Sequence, residues 1–183
     1  MKKIFAILAM AISASAFAGD SVTIENQHVN NAGAASQQIY GLGVKHEFTS
    51  NFAGDVNFTN AQTDGTNALS TRLEAGITAS TQLYGPVTGY VRTALGEKYS
   101  NTASFAFYSI EPGVTAPVGP FTAKVGVRYR SAVDADKNND QTHTVRTTLS
   151  YPLTKVDTVS VRYDRVRGDN NQKIWIAGYT HSF

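Results

Sequence analysis

The 183-residue chain has no cysteine, a single tryptophan and two methionines, and only 16% of its residues are charged. Without cysteine there is no disulfide scaffold, no cysteine-based zinc site and no lipid anchor on an N-terminal cysteine. Long hydrophobic runs are missing too. After residue 18 nothing approaches the roughly 18 apolar residues that a spanning helix needs. Charge of one sign is also scarce: 16 basic side chains face 14 acidic ones, and without Lys2 and Lys3 the two signs balance. A neutral chain of this kind makes nucleic acid an unsuitable partner.

What is present begins with an expected secretory signal over residues 1–18. Lys2 and Lys3 supply the positive start, Ile4 to Ile12 an apolar run, and Ala16-Phe17-Ala18 a small-x-small cleavage site. The remainder, 19–183, is expected to be one domain. Period-two alternation dominates it. Tyr40, Leu42, Val44, His46 and Phe48 alternate with Gly41, Gly43, Lys45 and Glu47. The same pattern recurs over 69–79 and 121–131, and no stretch keeps a 3.6-residue apolar stripe, so strands are predicted and no substantial helix.

A longer period runs through these strands. Val22, Val56, Val91, Val125 and Val159 recur every 34 or 35 residues, the length of one hairpin, which predicts five hairpins and ten strands. Polar segments near 30–37, 61–68, 97–103, 132–141 and 168–172 alternate with tighter turns near 49–51, 80–86, 116–120 and 152–155. The alternation of long and short connections predicts an up-and-down meander, closed as a transmembrane β-barrel or folded as a sandwich. Aromatic residues near strand ends, such as Tyr40, Phe48, Phe52, Tyr84, Phe121, Tyr129, Tyr151, Tyr163, Tyr179 and Phe183, favour the barrel, as do strands of about ten residues. Pro112 interrupts the sixth strand, where a bulge or bend is expected.

The segment Ala177-Gly178-Tyr179-Thr180-His181-Ser182-Phe183 resembles the C-terminal assembly signal of bacterial outer-membrane β-barrels, with Gly178, Tyr179 and Phe183 as its marked positions. The resemblance implies an integral outer-membrane barrel of the small porin-like superfamily. Its partners would be outer-membrane lipid and the barrel-assembly machinery, engaged through the last strand. Val127-Arg128-Tyr129-Arg130 and Val161-Arg162-Tyr163-Asp164 are similar, more faintly, to narrow arginine-lined channels for acidic oligosaccharides.

In a barrel the polar face turns to the lumen. The ionisable residues expected there are Glu25, Lys45, Glu47, Asp55, Arg72, Glu74, Arg92, Glu111, Lys124, Arg128, Arg130, Arg146, Arg162 and Asp164. Either they form a salt-bridge network that fills the barrel, or the arginines line a wet passage for small hydrophilic solutes, anions among them. The first reading leaves a structural or adhesion-type barrel acting through its loops, and the second a narrow porin-like channel. Catalysis is not expected. A His and a Ser two residues apart would share a strand face and could react, but the residues two beyond the four histidines are Asn30, Phe48, Val145 and Phe183. Asp134, Asp136 and Asp140 near His143 read as a solvated loop without the ligand spacing of a calcium site. Gly41, Gly43, Gly76, Gly126 and Gly178 lie inside strands with no following helix. They are expected to serve packing rather than phosphate binding. Neither a metal nor a cofactor is expected.

Overall fold

The computed structural model describes residues 19–31, 36–63, 65–66, 68–101, 103–169 and 171–183, and the expected signal lies outside them. Ten strands follow one another: β1 (Asp20–Asn31), β2 (Gln37–Thr49), β3 (Phe52–Thr63), β4 (Leu69–Tyr84), β5 (Val87–Ser100), β6 (Ser104–Val118), β7 (Phe121–Ala132), β8 (Thr142–Pro152), β9 (Asp157–Gly168) and β10 (Gln172–Ser182). Each pairs antiparallel with its sequence neighbours, and β1 pairs with β10, so the sheet is a closed barrel. Closure leaves no free sheet edge, which is the condition for strands to cross a bilayer. The five Val positions of the repeat fall on β1, β3, β5, β7 and β9, one per hairpin.

Local chemistry sets the tight turns at the end of the barrel where β1 starts and β10 finishes, here called the terminal end. Gly85 and Gly119 adopt φ of 52° and 60°, and each is followed by a proline. This is the left-handed first position of a two-residue hairpin turn, which glycine alone takes without strain. The other two turns use threonine. The Thr49 hydroxyl accepts from the amides of Asn51 and Phe52 at 3.2 and 3.0 Å, and that of Thr154 accepts from Val156 and Asp157 at 3.1 and 2.9 Å. Longer connections gather at the opposite end, here called the loop end.

Pro112 does not act as expected. The β6–β7 ladder lacks pairs at Glu111 and Pro112 but resumes at Gly113 opposite Gly126 with no change of register, and the β5–β6 ladder runs through Pro112 unbroken. Proline removes one donor on the β7 side and leaves the strand unbulged. The register shifts lie elsewhere, beside the turns at Glu47/Thr49 and Gln82/Tyr84.

The two faces are the reverse of a soluble protein. Leu95 is 68% exposed and Ile77 58%, whereas Glu74 is 5% and Asp164 3% exposed. Outward aliphatic side chains form a band between two aromatic belts. Phe48, Phe52, Tyr84, Phe121, Tyr151, Tyr179 and Phe183 lie at the terminal end, and Tyr40, Tyr99, Tyr108, Tyr129, Tyr163 and Trp175 toward the loop end, with ring pairs such as Phe121–Tyr151 at 5.4 Å and Tyr163–Trp175 at 4.8 Å. Apolar outside, polar inside and aromatic at both rims is the pattern of a barrel held in lipid.

The seam between β1 and β10 is flanked by two matched clusters on the outer face. His46 contacts Asp20 at 2.5 Å and stacks edge-on against Phe48, and His181 contacts Asp157 at 2.8 Å and stacks against Phe183, both ring pairs at 4.8 Å. The amide of Phe183 donates to the carbonyl of Asp20 at 2.9 Å, which joins the residue after β10 to the start of β1.

Candidate functional site

Alternation along each strand carries the predicted polar set into the lumen, and two rows of ion pairs fill its middle. In the first, Arg92 donates from Nε and Nη2 to both Asp55 oxygens at 2.9 and 2.5 Å, and from Nη1 to Glu74 at 2.6 Å. Glu74 also accepts from Arg128. In the second, Arg146 donates to Glu111 at 2.8 Å and lies 3.4 Å from Asp164. Arg162 reaches Asp164 at 3.3 Å and grips Glu25 at 2.9 and 3.3 Å. Most of these partners sit two or three strands apart. The guanidiniums therefore span chords of the lumen, which a barrel of ten strands is narrow enough to permit.

Burial explains why they are paired. Arg92, Asp55 and Glu74 keep 12%, 14% and 6% of their side-chain surface. An ion so placed is tolerable only with an opposite charge and satisfied hydrogen bonds. Backbone space for the network comes from glycine. A Cβ at Gly76 would stand 2.6 Å from Arg92 Nη2, and one at Gly126 or Gly113 would lie 2.3 or 2.5 Å from the Tyr90 hydroxyl. Tyr90 in turn donates to Glu111 at 3.0 Å, and Lys124 lies 4.1 Å from its ring. Gly43 and Gly178 make the same kind of room for Asn57 and Ser160, and Gly41 sits against Glu25.

Lys45 and Glu47 pair with each other at 2.6 Å near the terminal mouth, about half exposed and apart from the arginine rows. Toward the loop end Arg130 donates to Asp140 at 2.6 Å, and Arg72 and Arg130 both lie over the Phe107 ring, at 5.8 and 5.5 Å. Asp140 corrects the solvated-loop reading. It is 1% exposed and folded inward from the β7–β8 connection, because the cations on the wall below it draw the carboxylate in. Lys98, on the lumen side of β5 and 3.9 Å from the same carboxylate, was also outside the expected set. Parity counted on from Arg92 finds it once β5 is known to run to Ser100. For Asp140 no sequence signal exists, since loop residues have no parity.

The side chains leave a cavity of about 690 Å³. It lies against the wall of β1, β2 and β3, where Thr23, Gly41, Gly43, Asn57, Thr59 and Ala61 are short, and the arginine rows bound its other side. It extends from Gln37 and Thr63 at the loop end to Lys45 near the terminal end. A separate space of about 60 Å³ lies among Tyr90, Glu111, Lys124, Arg146, Thr148 and Arg162. Among the described residues no group of three or more His, Cys, Asp or Glu side chains is arranged to hold a metal. His181 faces outward to Asp157, and neighbouring Ser182 lies on the other face of the strand.

The chain matches no known family profile and no curated protein sequence. Among solved structures it is similar to the NanC porin, with a TM-score of 0.59, 11% identity, and coverage of 87% of this chain and 100% of the other. It is also similar to the β-domain of the Bordetella autotransporter Brka, with a TM-score of 0.54, 15% identity, and coverage of 90% and 99%. A third likeness is to the translocator domain of the autotransporter NalP from Neisseria meningitidis, with a TM-score of 0.50, 10% identity, and coverage of 100% and 94%. Identities this low speak to architecture alone: the chain shares the fold of these proteins, a closed antiparallel β-barrel, and carries the apolar outer face and aromatic belts of a wall set in lipid.

Proposed function

We propose that the barrel is a narrow channel for passive passage of small hydrophilic solutes across the outer membrane. The observation that carries this reading is the cavity of about 690 Å³ that follows the β1–β3 wall. Its lining of Thr, Asn, Gln and glycine backbone is hydrated at little cost, and the arginines of the two rows beside it are held by carboxylates rather than left to close the space. A porin is among the solved proteins of this fold, which makes passage a function the architecture can carry, although fold alone does not decide function. The rival is a filled barrel acting through its loops. It is favoured by the Arg128–Glu74 pair across the lumen and by the inward rings of Tyr90 and Phe107.

Purified protein in a planar lipid bilayer separates the two. The channel reading expects small, steady single-channel currents. It also expects the reversal potential of the Arg128→Ala/Arg146→Ala form to move toward cation preference, since the carboxylates Glu25, Asp55, Glu74, Glu111 and Asp164 in the middle of the lumen then face only Arg92, Arg162 and Lys124. Silence in both forms, together with a folded barrel by circular dichroism, would leave only the filled barrel. Outer-membrane lipid around the apolar band, and the assembly machinery acting on the strand that ends at Phe183, are the partners that accompany either reading. No part of it calls for a cofactor or nucleic acid.

A further inference from the structure

Charge is balanced in the middle of the lumen and unbalanced above it. In the middle, four arginines (Arg92, Arg128, Arg146 and Arg162) and Lys124 meet five carboxylates (Glu25, Asp55, Glu74, Glu111 and Asp164). Toward the loop end, Arg72, Lys98 and Arg130 gather around the single carboxylate of Asp140, with Phe107 beneath the two guanidiniums and Phe105 5.3 Å from Lys98 Nζ. Arg130 and Lys98 both address Oδ1 of Asp140. Its Oδ2 is buried without a partner, as are Nε of Arg72 and Nε of Arg130. Among the described residues Arg72 has no ion pair. All three cations border the large cavity, so a solute in the lumen can reach them.

From this geometry we infer an anion-binding site at the outer end of the lumen, formed by Arg72, Lys98 and Arg130, whose resident ligand is the chain's own Asp140 and whose external ligand is a small carboxylate. The other lumenal carboxylates named above are fixed on strands, whereas Asp140 arrives on a loop. That loop is hinged by the Val133 amide on the Ala106 carbonyl at 2.9 Å and by the Gln141 amide on the Asp169 carboxylate at 2.7 Å. A tethered group that meets two of the three cations with one oxygen, and leaves Arg72 unpaired, is displaceable by a solute carboxylate that uses both of its own. Displacement frees the loop at the outer mouth. The inference rests on the reading of the lumen as wet.

The test is calorimetric titration of detergent-solubilised protein at low salt with gluconate, and with sorbitol as its neutral counterpart. Wild-type protein should bind gluconate weakly and sorbitol not at all. If the latched state dominates, removing the internal competitor in Asp140→Asn should tighten gluconate binding at least about tenfold, and Asp140→Glu should restore weak binding. Adding Arg72→Gln and Lys98→Gln to Asp140→Asn should abolish it. Equal gluconate affinity in wild type and Asp140→Asn, or undiminished affinity after loss of the two cations, overturns the site. A second measurement does not depend on those variants folding. Because the chain has no cysteine, Asn139→Cys carries one polarity-sensitive fluorophore, and gluconate but not sorbitol should shift its emission. An unchanged emission at saturating gluconate also overturns the site. Passage is read separately: a barrel that binds gluconate but never conducts retains the site and loses the channel, and a conducting barrel whose Asp140→Asn form ignores gluconate does the reverse.

Discussion

Arg92 shows how single residues govern this lumen. Its three donors engage two carboxylates that come from different strands, so it ties β3, β4 and β5 together inside the barrel. Arg92→Ala would leave Asp55 buried without its ion pair and Glu74 with Arg128 alone. Breaking such a pair costs about 3–5 kcal/mol. The expected result is a urea unfolding midpoint well below wild type, with Arg92→Lys intermediate because a point charge cannot serve both partners bidentately. An unchanged midpoint for Arg92→Ala would mean that water already supports these carboxylates and that the row contributes no stability. Most of the ionic set was legible in the sequence, since parity in a strand fixes the face. Which acid meets which base was for the most part not, because most partners are two or three strands apart and no local spacing relates those. Asp140 escaped for a different reason: its direction is set by the cations it meets and not by its own backbone.

At the scale of the strand, hairpin period and turn chemistry made the ten strands and their order readable. Their ends were less so. β4 continues to Tyr84 and β5 to Ser100, because the pairing of one strand with its neighbour carries polar residues such as Gln82 and Lys98 into the ladder. Pro112 is the instructive error. Proline takes away a donor, but it forces a bulge only where the opposite strand cannot keep step. Here β7 keeps step, and the loss is confined to a gap between the Ile110 and Gly113 pairs. Pro112→Ala, on the lipid side, should therefore restore a ladder bond without moving Glu111. A gain of about 1 kcal/mol in unfolding free energy is expected, with unaltered conductance. A loss of stability would argue that proline relieves strain in β6 that the regular register conceals.

For the molecule as a whole, the decisive feature is that its outside is made for lipid and its inside for charge. Composition alone could not distinguish that from a sandwich, because both share the same alternation and only closure tells which face is enclosed. Closure also has a topological side. With Phe183 hydrogen-bonded to Asp20, the strands form a ring in which no strand is first, and the order of synthesis is separable from the order around the wall. A circular permutant can exploit this. A linker of about three residues would join Phe183 to Gly19, and the chain would be reopened between Gly119 and Pro120, a turn at the same end of the barrel, so every strand keeps its direction. Such a chain should refold in detergent with the wild-type heat-modifiable shift on a gel, since its contacts are unchanged. In cells it should reach the membrane poorly if, as proposed above, the assembly machinery acts on the segment around Phe183, because the permutant runs that segment on into a linker. Normal insertion of the permutant would show that the finished ring, and not the segment around Phe183, is what the cell recognises.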